Sequence, residues 1–181
     1  MSKQNIISPP KFRLQFYLLN QSSKDIIKII SKRYDIEEYV DILDGVPNSE
    51  VPTILNESSI LLLLTNTSVG DNTPKGIMGT KVFEYIAVEK PILCVRNDQS
   101  CLEETINKTK SGISASSVEE VIKFILEKYA EWKNNGFTQQ IIDKKSIELF
   151  SRKYQSKQFV ELFENLLLEA TKINKPTCLP Q

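Results

Sequence analysis

The chain has 181 residues, 40% of them apolar, and its 23 lysines and arginines balance 23 aspartates and glutamates. That length suits one well-buried core and is short for two domains; the neutral balance gives no electrostatic footprint for nucleic acid, while local patches stay open. There is no histidine, which removes the commonest general base and the serine–histidine and cysteine–histidine pairs. With Cys94, Cys101 and Cys178 far apart, it also removes a zinc site of ordinary ligands.

The cysteines read as reduced thiols of a cytoplasmic protein. No apolar run approaches the ~20 residues that cross a bilayer, and MSKQNIISPP lacks the apolar stretch of a signal peptide. The expectation is a soluble chain with no transmembrane segment, peripheral contact with a membrane staying open. Asn56-Glu57-Ser58 and Asn107-Lys108-Thr109 match the glycosylation sequon, which needs a secretory route and so carries no weight here.

In chain order, FRLQFYLL (12–19) alternates Phe12, Leu14, Phe16 and Leu18 with Arg13, Gln15, Tyr17 and Leu19, the period of a strand. The stretch after Asn20 places Ile26, Ile29, Ile30 and Tyr34 at helical spacing, with Ser22 or Ser23 as N-cap. VDILDGV (40–46) reads as a short strand, Val51, Ile54 and Leu55 as a brief helix, and ILLLLT (60–65) as a strand buried on both faces of a parallel sheet. NTSVGDNTPKGIMGT (66–80) is a long surface loop of the kind that is often functional. KVFEYIAVE follows as a helix with Val82, Phe83, Ile86 and Ala87 inward. PILCV (91–95) is a buried strand with Cys94 packed as a small apolar group, SCLEETINKTK a polar helix and ISAS (113–116) a last strand. SVEEVIKFILEKYAEWKNN is a strongly amphipathic helix, and residues 146–172 supply one or two more, with Trp132 and the aromatic positions serving as core or docking surface.

Strands alternating with helices predict an α/β chain with a Rossmann-like, doubly wound parallel sheet in three layers, α/β/α. Ligands of such sheets bind beyond the carboxyl ends of the strands, and the loop 66–80 leaves one of those ends. If Thr80 caps a helix starting at Lys81, then Gly76, Gly79 and Thr80 let backbone amides crowd toward an anion at the positive end of the helix dipole. Glu84 stands one turn in, where two acceptor oxygens suit a vicinal diol. Phosphates with a diol describe a nucleotide. Three plainer readings stand beside this one: Glu84 favours the dipole, the glycines relieve a tight turn, and Lys75 and Lys81 are solvated charges. Glu103 and Glu104, adjacent on a helix, diverge and do not make an acid–base pair.

DGVPNSEVPTILNESSILLLL, then G-x-M-G-T-K-V-F-E-Y-I-A-V-E-K-P-I-L and Gly112, resemble the carboxyl-terminal, donor-binding domain of retaining glycosyltransferases of the GT-B fold, the glycogen-synthase-like group 1 family. The likeness covers residues 12–170. It implies that Glu84 binds the ribose hydroxyls of a UDP- or GDP-linked sugar, that the amides around Thr80, Lys81 and Val82 face the diphosphate without a metal, and that Val46 and Pro47 lie along the base.

Two features depart from the family pattern. Gly76 stands where many members carry a second glutamate, and the opening strand, glycine turn and basic clamp are missing. Residues 1–11 then read as the remnant of a preceding helix or linker, and 171–181 as a frayed tail. The implied function is the donor-binding portion of a glycosyltransferase that acts on a glycan or lipid-linked acceptor in polysaccharide synthesis. Its first βα unit, its amino-terminal domain and its catalytic side chain lie elsewhere, so it is inactive alone. The alternative is a non-catalytic binding or assembly module with a degenerate donor site. With a central strand absent, strands 12–19 and 60–65 pair directly or leave edges that a homodimer partner closes.

Overall fold

The computed structural model describes residues 7–9, 11–65 and 77–173, with side chains as far as residue 170, and in it parallel strands alternate with helices. The strands lie in two small sheets flanked by helices, the Rossmann-like α/β/α class that the alternation predicts. Every ladder runs within one of two compact units, Met1–Val51 and Pro52–Gln181.

In the first unit, β1 (Leu14–Leu18) and β2 (Val40–Asp44) pair in parallel, from Leu14 opposite Val40 to Leu18 opposite Asp44. The period of two is kept: Leu14, Phe16 and Leu18 are half-buried and Gln15 and Tyr17 exposed. Arg13 ties the two strands at their start, its guanidinium on the Asp41 carboxylate and on the Glu38 carbonyl at 2.6 Å. Between the strands runs α1 (Gln21–Arg33), followed by a 3-10 turn at Glu37–Tyr39. Its N-cap is Asn20 rather than Ser22 or Ser23: the Asn20 amide oxygen accepts from the Ser23 amide at 2.8 Å. The isoleucines fall at helical spacing as expected, yet Ile26, Ile29, Ile30 and Tyr34 are exposed and Ser31 is the buried residue of the helix.

The second unit opens within α2 (Val51–Glu57). β3 (Leu61–Leu64), β4 (Ile92–Val95) and β5 (Gly112–Ala115) then form a parallel sheet with β4 central. α3 (Lys81–Ala87) and α4 (Cys101–Thr109) supply Val82, Ile86, Leu102 and Ile106 to one face, against Leu63, Ile92 and Cys94. α5 (Val118–Asn135) covers the other face, Phe124 packing on Leu93 and Ala115. Alternate residues of β4 therefore enter opposite cores, which is why PILCV reads as an unbroken apolar run. Gly112 lies so close to β4 that an added Cβ would fall 1.9 Å from the Ile92 carbonyl oxygen. α6 (Lys144–Glu148) and α7 (Arg152–Ile173) are the last of the described elements.

Candidate functional site

Because β3, β4 and β5 run in parallel, their carboxyl ends share one edge of the sheet, and the helix that follows each strand begins there. A helix start leaves backbone amides without intrahelical acceptors, and the three starts at this edge meet that need differently. At α4 the buried Asp98 carboxylate accepts from the amides of Ser100, Leu102 and Glu103 at 3.1, 3.1 and 3.0 Å. At α5 Ser117 Oγ accepts from the Glu120 amide at 3.2 Å while Glu120 Oε2 takes the Ser116 amide at 2.7 Å, a variant of the capping box. α3 has no side-chain cap: Thr80 is its N-cap residue and its hydroxyl makes no capping bond. The Phe83 amide turns back to the Thr80 carbonyl at 3.1 Å, and among the described residues the Thr80 and Lys81 amides meet no acceptor.

The orientation of Glu84 follows from what its neighbours bury. Val82 and Ile86 are inside the core, Phe83 packs against Phe150 with ring centroids 5.9 Å apart, and the Tyr85 hydroxyl donates to the Leu62 carbonyl at 3.4 Å. Burial, with the nearby Glu84 charge, pushes the Tyr85 phenol above its usual range. These contacts fix the roll of the helix and leave Lys81, Glu84 and Ala87, three residues apart, on its exposed side. Ala87 thus differs from the inward placement expected of it. The carboxylate of Glu84 makes no hydrogen bond or ion pair among the described residues and stands in the first turn of the uncapped helix.

The remaining expected site residues divide. Gly79 is exposed, its φ lies outside the left-handed region, and an added Cβ would meet nothing within 4 Å. The local fold therefore does not require glycine there. Lys81 is exposed and unpaired among the described residues, whereas Val82 has its side chain fully buried and its amide on the Gly79 carbonyl at 3.4 Å. Val46 and Pro47 belong to the first unit, in the turn after β2, where the Pro47 carbonyl accepts the Glu50 amide at 2.9 Å. Gly76, Lys75 and most of the loop 66–80 lie outside the described residues.

Two polar groups at the same edge had gone unread in the sequence. Asn97 Nδ2 donates to Glu103 Oε1 at 2.8 Å and to Ser116 Oγ at 3.2 Å, joining the ends of β4 and β5 to α4. Glu103 is thereby engaged without Glu104. Asp98 is the other, and N-D-Q-S immediately before an amphipathic run is the signal that would have found it. Among the described residues no group of three potential ligands could hold a metal ion, and no helix is long and apolar enough to cross a membrane. No family model matches the chain, nor does any curated protein or solved structure.

Proposed function

We propose that this chain is the nucleotide-sugar-binding portion of a glycosyltransferase, taking a UDP- or GDP-linked donor whose sugar passes to a glycan or lipid-linked acceptor. The observation that carries the reading is Glu84, a solvent-facing carboxylate free of hydrogen-bonded partners among the described residues, one turn into a helix whose start has no side-chain cap. A diol can bridge both carboxylate oxygens, and the Thr80 and Lys81 amides stand beside it for a diphosphate. Gly79 leaves open space on the approach. The catalytic side chain and the rest of the donor clamp are supplied by a further domain or chain, so this chain alone turns over no donor.

A second reading draws on Val82. Its amide is already on the Gly79 carbonyl, one donor fewer for a diphosphate, as a non-catalytic assembly module with a degenerate site would have. Calorimetric or NMR titration with UDP, GDP and their sugar conjugates separates the two. Millimolar or tighter binding that Glu84→Ala abolishes is expected; no binding of any of them at accessible concentration would leave the assembly module. As a mere helix-dipole group Glu84 contributes only ~0.3–1 kcal/mol to stability, so a loss of binding without a comparable loss of fold assigns the carboxylate to the ligand.

A further inference from the structure

α7 is 22 residues long, and from Gln155 to Ala170 every residue is exposed. Its middle carries an apolar patch open to solvent: Phe159 is 61% and Phe163 60% exposed, and Val160, Leu166 and Leu167 are exposed to a similar degree. At 3.6 residues per turn these five side chains fall on one side of the helix. Phe163 is at their centre, with Phe159 and Val160 before it matched by Leu166 and Leu167 after it. We infer that this face is covered by the same face of a second copy of the chain, the two α7 helices running antiparallel about a two-fold axis at Phe163.

Area and symmetry favour that occupant. An aromatic side chain carries ~150–250 Å² and an aliphatic one somewhat less, so the patch offers on the order of 600 Å² at its observed exposure. Two copies then bury roughly 1,200 Å², at the lower edge of a stable interface. A two-fold contact requires a surface complementary to itself. An antiparallel pair centred on Phe163 provides it: the two rings meet at the axis, and Phe159 and Val160 of each copy meet Leu166 and Leu167 of the other. Arg152, Lys153 and Lys157 precede Glu161, Glu164 and Glu169 along the helix, three charges of each sign, so no net field selects a basic or acidic partner. This surface is independent of the nucleotide reading at Glu84.

Sedimentation velocity of the full chain across a concentration series tests the pairing, with a monomer–dimer equilibrium expected. Phe163→Glu brings two carboxylates together at the axis and should weaken the dimer by at least tenfold, with helix content by circular dichroism unchanged, since the Phe163 side chain is exposed. In a Cys101→Ser, Cys178→Ser background, Phe163→Cys should form a disulfide-linked dimer on mild oxidation. Lys153→Cys, whose two copies would lie roughly 30 Å apart at 1.5 Å per residue, should not. A monomer at every concentration, a dimer indifferent to Phe163→Glu, or equal cross-linking at both positions would overturn the inference.

Discussion

Gly112 is where two strands of the second unit meet with no room for a side chain. The atom an added methyl would strike is the Ile92 carbonyl oxygen, backbone of the central strand and unable to move aside as a side-chain end could. Gly112→Ala should therefore destabilise the chain by ~1–3 kcal/mol or more, the range for overpacking a core, visible as a lowered urea midpoint with an unchanged slope. Asp98 acts in the opposite sense, as a group whose removal leaves amides unsatisfied. It is buried and accepts from three amides at the start of α4. Asp98→Ala should cost ~1–3 kcal/mol, and Asp98→Asn, which keeps one acceptor oxygen, should recover part of that. If the alanine variant unfolds at the wild-type urea concentration, the carboxylate is not holding the helix start.

The elements were legible wherever a local period coincided with burial. β4 enters two cores and reads as an unbroken apolar run; β1 has one covered face and alternates. The caps were less legible. Ser117 and Glu120 stand three apart before an amphipathic run, the signal that would have found the start of α5, whereas at α1 the expectation fell on Ser22 or Ser23 and the cap is Asn20. The exposure of α1 and α7 was not legible, because periodicity shows that a helix has an apolar face and says nothing of what covers it. The same limit holds at the candidate site. K-V-F-E-Y-I marks Glu84 as the polar residue of an apolar helix, but its outward roll depends on Leu62 and Phe150, partners distant in sequence. The cap of α5 offers the test at this scale. Ser117→Ala should cost about 1 kcal/mol, and Ser117→Asp should restore most of it; equal losses in both would mean that the hydroxyl is not the acceptor that matters.

The two units differ in what each buries, and the difference sets where the molecule opens first. β4 lies between two hydrophobic clusters, with Ile92, Leu93 and Cys94 all inside. Among its described residues the first unit has two strands, Ile7, Tyr39 and Ser31 buried, and ion pairs at its surface. A two-stranded sheet is marginal without further cover, so amide protection in β1 and β2 should fall well below that in β4. Acid should widen the gap. The hydrogen bond from Arg13 holds the Asp41 carboxyl below its usual value, and that from Lys24 does the same for Asp44. Groups depressed in the folded state stabilise it above the unfolded value near 3.9, and that contribution is lost as pH falls through the folded values. Both pairs lie at the surface and are partly exposed, so each is worth little, and salt should weaken them further. Protection factors corrected for intrinsic exchange should therefore drop in β1 and β2 between about pH 5 and pH 3 while β4 holds. Asp41→Asn should flatten the drop, and equal loss in all three strands would show that the units open as one.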